Sequence, residues 1–222
     1  MNILIVYAHP EPQSMNGAMY QTAIAHLEAA GHHVKTSDLY SMQFDPVSSR
    51  NNFSTVYDPA FFKPQLEEMH ATEVGGFADK INMEQEKVEW CDLMIWQFPL
   101  WWFSIPAILK GWVDRVFAMG RFYKNGHLYE TGLFGSKKAL LSLTTGGPPE
   151  NYLRDGLNGD LEGILRPVHR GIFEFTGFSV LQPHVIYGPA RQSPQELSAV
   201  LKNWEHRLEH IFEEQPITIG AY

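Results

Sequence analysis

The stretch Leu93-Met94-Ile95-Trp96-Gln97-Phe98-Pro99-Leu100-Trp101-Trp102-Phe103-Ser104-Ile105-Pro106-Ala107-Ile108-Leu109 decides how this chain folds. It is the only candidate for a membrane span, being about as long as the ~17-residue lower limit for a helix that crosses a bilayer. Gln97, Pro99, Ser104 and Pro106 interrupt it, and a proline inside a helix removes an N–H donor and clashes with the preceding turn. The run therefore reads as a buried strand over Leu93–Phe98, a loop over Pro99–Ser104 and a helix beginning at Pro106.

The same alternation extends in both directions. Further strands are predicted at Ile3–Ala8, His33–Ser37, Ala139–Thr144 and Phe178–Ile186, with segments of helical period between them. That pattern belongs to a parallel sheet covered on both faces. A first helix is predicted from Asn16 to Ala30, with Met19, Ala23, Leu27 and Ala30 on one face and Gly31 as its stop. A second precedes Asp92. The last is marked by Ser193-Pro194-Gln195-Glu196, a capping box with proline at the first helical position, and its core face reads Leu197, Val200, Leu201, Trp204, Leu208, Ile211 and Phe212. Five strands joined in this way suit an α/β, three-layer, doubly wound fold of the flavodoxin-like kind with a five-stranded parallel sheet, on one domain over residues 1–222. Ligands of such sheets bind beyond the carboxyl ends of the strands, where strand order reverses. The segment from Leu39 to about His70 is too long for a plain connection and is expected to be an irregular cover or interface.

Composition narrows the function. The 222 residues carry 17 Lys plus Arg against 25 Asp plus Glu, a net charge of −8. Neither nucleic-acid phosphates nor anionic lipid would be bound by such a surface, because both need clustered basic groups. Cys91 is the only cysteine, lies in an apolar run, and reads as a small buried thiol. The apolar N-terminus lacks a basic leader region, so the expected address is the cytoplasm, with no stable membrane insertion. Glu67-Glu68 and Glu84-Gln85-Glu86 are read as solvated helix faces. His206 and His210, spaced i, i+4 beside the polar face of the last helix, are read as surface histidines.

Three loops should meet at the carboxyl ends. The first, His9–Asn16, delivers small polar side chains and free amides to a helix start, which suits a phosphate or pyrophosphate, or else an ordinary cap by Ser14 or Asn16. Between Pro99 and Pro106, Trp101, Trp102 and Phe103 are three adjacent aromatics that cannot all face one interior; at least one should line a flat cavity or an interface. Thr144-Thr145-Gly146-Gly147 pairs hydroxyls with glycines that a planar ligand can approach closely. Tyr152 adds a phenol nearby.

Together these loops resemble the NAD(P)H:quinone oxidoreductase family, the DT-diaphorase type of flavodoxin-like flavoprotein. The resemblance runs through Ala8-His9, Ser37-Asp38-Leu39-Tyr40, Asp58-Pro59-Ala60, Gln97-Phe98-Pro99-Leu100, Trp102-Phe103, Pro106-Ala107-Ile108-Leu109-Lys110-Gly111-Trp112, Arg115-Val116-Phe117, Ser136-Lys137-Lys138-Ala139, Thr144-Thr145-Gly146-Gly147 and Gly177-Phe178. It implies a homodimer with bound FAD, FMN being the lesser alternative. It further implies that NAD(P)H reduces the flavin and leaves, and that a quinone then takes the same place, a two-electron, ping-pong reaction. By the same resemblance His9, Ser14 and Asn16 match pyrophosphate and ribityl contacts, Pro99, Leu100, Trp101, Trp102 and Phe103 the segment along the flavin ring, and Thr144, Thr145, Gly146, Gly147 and Tyr152 its pyrimidine side. Trp102, Phe103, Gly146 and Gly147 also face the substrate, with Tyr123, Asn125 and Phe175 supplied by the partner subunit.

The departures are specific. Asn158 stands where mammalian members pair the tyrosine with a histidine, and an amide donates a hydrogen bond but takes up no proton near neutral pH. Asn125 replaces a tyrosine, which implies a wider or more polar pocket. The chain ends at Tyr222, short of the region with which longer members hold NAD(P)H, so the donor is expected to be NADH, NADPH or reduced nicotinamide riboside. The two histidines and cysteine that hold a metal in some relatives have no evident counterpart, and no metal is expected. Two other readings stand beside the enzyme: an ancillary subunit of a potassium-efflux system, and a one-electron FMN carrier.

Overall fold

The computed structural model describes residues 1–220. The elements are β1 (Asn2–Tyr7), α1 (Met15–Ala29), β2 (His33–Asp38), α2 (Pro64–Val74), α3 (Asp79–Trp90), β3 (Leu93–Pro99), α4 (Ala107–Val116), β4 (Lys138–Thr145), α5 (Leu161–Val168), β5 (Ser179–Val180), β6 (His184–Tyr187) and α6 (Pro194–His210). A π-helical turn over His169–Glu174 continues α5. All the strands pair in parallel, in the order β2-β1-β3-β4-β5, with β6 also against β4. The order reverses between β1 and β3, as a doubly wound sheet requires.

Alternation along the strands builds the two apolar layers. Ile3, Ile5 and Tyr7 join Leu93, Ile95 and Leu140 under α1 and α6, while Leu4, Val6 and Ala8 join Met94, Trp96, Phe98 and Leu141 on the opposite face. The Trp204 indole, fully buried, donates to the Met19 carbonyl at 3.1 Å and locks α6 onto α1. The capping box that starts α6 is formed as expected, Ser193 and Glu196 each bonding the other's backbone N–H. On the other face Trp96 meets Trp112 and Phe173 edge-on, at ring separations of 6.0 and 4.5 Å. Cys91 is buried, and burial pushes its thiol up to about 12, which makes it an inert packing group. Among the described residues no helix is long and apolar enough to cross a membrane.

Four expectations need correction. The strand expected over 178–186 is broken into β5 and β6: Lys138 pairs with Ser179 (179 − 138 = 41) but Ser142 with His184 (184 − 142 = 42), so one extra residue is accommodated between them. Pro183, which lacks an N–H donor, lies in the break. The irregular cover ends at Lys63, because Pro64 starts α2 at its first position. The third correction concerns the acidic runs: Glu67, Glu68, Glu84 and Gln85 are buried and only Glu86 of the two runs is exposed. Glu67 accepts the backbone N–H groups of Tyr57 and Asp58 and a bond from Arg50, pinning the cover to α2. Glu84 accepts from the Ser37 hydroxyl, the Trp112 indole and the Lys87 ammonium at 2.6–2.8 Å, so both of its buried oxygens have partners. Last, α5 was not anticipated; Asp160 caps it by accepting from Gly163 N–H at 2.6 Å, and Pro167 inside it masks the helical pattern.

Candidate active site

The loops after β1, β3 and β4 converge at the carboxyl end of the sheet, around the strand-order reversal. In the first, Ser14 accepts from the Gly17 N–H at 3.1 Å and starts α1. The loop folds back so closely that a Cβ on Gly17 would lie 1.9 Å from the Pro12 carbonyl oxygen, so only glycine fits. His9 Nδ1 lies 3.0 Å from the Glu11 backbone nitrogen and 3.1 Å from the Glu11 carbonyl oxygen, and the imidazole approaches Trp101 to 6.0 Å between ring centres.

Asn16 is only 3% exposed. Its Oδ1 accepts from Gln97 Nε2 and its Nδ2 donates to Thr144 Oγ1, both at 2.8 Å. This buried chain ties α1, β3 and β4 together directly beneath the loops. Gln97 was absent from the sequence-based site; its one signal is a polar residue inside an otherwise apolar strand.

The loop after β3 is a two-residue hairpin. Trp101 N–H donates to the Ser104 carbonyl at 3.1 Å and Ser104 N–H to the Trp101 carbonyl at 3.0 Å. Trp102 and Phe103, at the centre, have φ of +50° and +56°. That is a type I′ turn, a conformation usually given to Asn and Gly and costing other residues roughly 1–2 kcal/mol each. The strain has a visible product: Trp102 stands 96% exposed and Phe103 50%. Pro99 is buried at the end of β3, and Leu100 N–H donates to the Thr144 carbonyl at 2.8 Å, joining this loop to the next.

Beyond β4, the Thr145 hydroxyl donates to the Gly147 carbonyl at 2.9 Å and the Arg191 guanidinium to the Gly146 carbonyl at 2.6 Å. Arg191 too was not anticipated. A Cβ built on Gly146 meets nothing within 4 Å, so the backbone there is open to a flat group, whereas Gly147 backs onto Asn151 and the Tyr152 ring. Tyr152 is nearly buried, its ring 5.8 Å from that of Tyr187. Asn158 N–H donates to the Asn151 carbonyl at 2.8 Å and closes this loop; among the described residues no hydrogen bond joins the Tyr152 and Asn158 side chains.

The remaining predicted residues lie apart. Tyr123 and Phe175, with ring centres 5.4 Å apart, line a cleft of about 560 Å³ together with Gln65, Glu68, Val113 and Phe117. It meets the aromatic turn at Ser104 and Ile105 but includes neither Trp102 nor the loop after β4. Glu68, 8% exposed, accepts from the Met119 N–H at 2.7 Å, and burial pushes its carboxyl above the usual range. Burial also raises the Tyr123 phenol, with the Glu68 charge adding to it and a hydrogen bond with Gln65 opposing. Asn125 is exposed on the Lys124–His127 turn and does not line the cleft.

The family model described as the flavodoxin-like fold matches residues 1–208. A ribosyldihydronicotinamide dehydrogenase [quinone] from Rattus norvegicus is 43% identical over 216 residues, covering 97% of this chain and 94% of that one. An NAD(P)H dehydrogenase [quinone] 1 from Cavia porcellus is 43% identical over 215 residues, covering 96% of this chain and 78% of that one. A crystal structure from Klebsiella pneumoniae, assigned as a quinone reductase, superposes with a TM-score of 0.91 at 38% identity, over 98% of this chain and 87% of that one. The strand order, the strained aromatic turn at its switch point and these near-full-length matches place the chain in the flavodoxin-like family and, within it, among the NAD(P)H:quinone oxidoreductases.

Proposed function

We propose that this chain is a flavin-dependent NAD(P)H dehydrogenase (quinone), a cytoplasmic homodimer whose single domain, residues 1–222, binds FAD. Donor and quinone take turns at one place and two electrons pass at each half-reaction. The observation that carries this reading is the type I′ turn that holds Trp102 out in solvent, on the loop that Leu100 ties to Thr144, two residues before the bare backbone of Gly146. Folding alone gains nothing from two aromatics held in left-handed geometry with one of them in water; a flat ligand does. The names of the relatives supply the reaction class.

The residues present fit a flavin. The His9 imidazole, the Ser14 hydroxyl and the amides at the start of α1 would hold the pyrophosphate, where a helix N-terminus favours anions. Asn16, engaged on both sides, positions these loops from below. Leu100, Trp101, Trp102 and Phe103 would line the ring and exclude water, with Pro99 fixing their exit from β3. Thr144, Thr145, Gly146, Gly147 and Tyr152 would meet the pyrimidine side, where preorganised donors favour the charge that gathers on reduction. Asn158 donates there without taking up a proton. When bound, the flavin supplies the hydride chemistry itself.

The cleft of Tyr123 and Phe175 and the shelf of Trp102 are both open in one chain. A dimer that sets the cleft of one copy over the shelf of the other covers the exposed indole and completes a quinone site from Trp102, Phe103, Gly146 and Gly147 on one side and Tyr123 and Phe175 from the second copy on the other, with Asn125 outside the cleft on the adjoining Lys124–His127 turn.

The test is to purify the protein, identify any released flavin, and add NADH, NADPH or reduced nicotinamide riboside without oxygen while following the flavin band at ~450 nm. FAD that bleaches with one of these donors and recovers on adding a quinone is expected; absence of flavin binding even after reconstitution overturns the reading. The exposed Trp102 also suits an ancillary subunit of a potassium-efflux system, and reduction that requires an added partner protein would favour that assignment.

A further inference from the structure

At the opposite end of the molecule, two helices bring together a second set of functional groups. Both α1 and α6 begin at the carboxyl end of the sheet, after β1 and β6, so their last turns lie at the amino end, away from the loops described above. His206, Glu209 and His210 occupy the last turns of α6, with one ligand-type atom of each within 4.8 Å of the others. The i, i+4 spacing puts the two imidazoles on one helix face, their ring centres 5.2 Å apart and nearly perpendicular. Glu209 lies between two histidines: one carboxylate oxygen is 3.1 Å from His206 Nδ1, and the other is 3.9 Å from His26 Nε2 on α1. Glu213 stands 3.5 Å from His210 Nδ1.

We propose that His206, His210 and Glu209 form a surface site for a divalent transition metal, with His26 of α1 standing beside it, 3.9 Å from the Glu209 carboxylate. Two imidazoles and a carboxylate suit Zn²⁺, Ni²⁺ or Cu²⁺ rather than Mg²⁺ or Ca²⁺, which prefer all-oxygen shells. Two histidines at i, i+4 on one helical face form the same ligand pair that zinc enzymes use. All three α6 groups are exposed, so water completes the coordination, and the ion enters without any opening of the fold. The cleft of about 560 Å³ is lined by none of these residues. The metal's effect is mechanical: it staples the last turns of α6 at the end remote from the Ser193 cap. Binding that favours the folded state raises apparent stability with metal concentration.

The experiment uses the flavin-loaded protein with any histidine tag removed and chelator-stripped of metal, titrated with ZnCl₂ by calorimetry and followed by thermal unfolding. One Zn²⁺ per chain and a Tm that rises with Zn²⁺ are expected. His206→Ala and His210→Ala should each weaken binding by at least about tenfold, since each removes one of the few ligands. His26→Ala should retain Zn²⁺ binding, since all three ligands on α6 remain. Because the His206 and His210 side chains are exposed, the Tm of these two variants without metal should match that of the parent, which separates lost ligation from lost folding. An absence of saturable binding, or undiminished binding in the His206→Ala/His210→Ala double variant, would overturn the assignment. The outcome is independent of what binds at the carboxyl end.

Discussion

Replacing Trp102 by glycine and, separately, by alanine isolates the strain in the aromatic turn. Both variants remove the indole, and since it is 96% exposed, neither loses appreciable burial. They differ in what φ = +50° demands of the backbone. Alanine in the left-handed region costs roughly 1–2 kcal/mol, whereas glycine adopts it freely but gives up about 0.5–1 kcal/mol through its greater freedom when unfolded. Glycine should therefore be the more stable variant by about 0.5–1 kcal/mol, the reverse of their order in a helix or strand. For a chain of this length the unfolding entropy is on the order of 0.5 kcal/mol per kelvin, so the gap is about 1–2 °C in Tm, readable by scanning calorimetry. Both variants should lose flavin retention or quinone turnover to a similar extent. An alanine variant more stable than the glycine variant by about 0.5–1 kcal/mol would mean that the turn holds no strain, and undiminished flavin binding and turnover in both would return the indole to a purely surface role.

Three further outcomes follow from named contacts. Gly17→Ala forces a Cβ into the space 1.9 Å from the Pro12 carbonyl oxygen, so the first loop must open; the circular dichroism spectrum should be unchanged while flavin affinity falls by about tenfold or more, and an unchanged affinity would remove this loop from the site. Asn16→Ala leaves the Gln97 amide and the Thr144 hydroxyl short of a buried partner and should cost roughly 1–3 kcal/mol in urea unfolding; no measurable loss would show that solvent replaces the bridge. Burial holds His169 neutral, its pKa lowered to about 4, and burial with the Arg207 charge does the same for His184. Because the unfolded chain binds these protons from about pH 6.5 downward and the folded chain does not, stability should be complete above that pH. It should fall by about 1.4 kcal/mol per histidine per pH unit toward pH 4. Glu68, whose pKa is raised, acts in the opposite sense and offsets part of the loss. His169→Leu should flatten the profile measured by urea unfolding at pH 7 and pH 5, and an unaltered slope would exclude His169 as a source.

What could be read in the sequence was whatever depends on neighbours along the chain. The strand over Leu93–Pro99 is apolar but for Gln97, Ser193 and Glu196 cap their own helix, and the three loops at the carboxyl end follow from the order of the elements. The burial of Glu67 and Glu84 depends instead on donors at Tyr57, Asp58, Ser37 and Trp112, which no helical period reveals. Gln97 finds Asn16 from 81 residues away. The type I′ turn escaped because Trp-Trp-Phe-Ser contains neither Asn nor Gly, the residues that ordinarily announce it. Its geometry is imposed by the paired ends at Trp101 and Ser104, not by the local preference of the two aromatics.

The break between β5 and β6 fixes which lengths of chain this edge of the sheet can accept. Val180 faces the layer of Trp96 and Phe173, whereas Ile186, an even number of residues later, faces the layer of α1 and α6. The single inserted residue thus reverses the parity of the strand, and in doing so aims Tyr187 at Tyr152. Loss or gain of one residue over positions 181–183 would turn Ile186 out of its layer and Tyr187 away from the candidate site, while a change of two would restore both faces. Natural variation in length at this point should proceed in pairs, in contrast to the cover before α2, where no such parity applies.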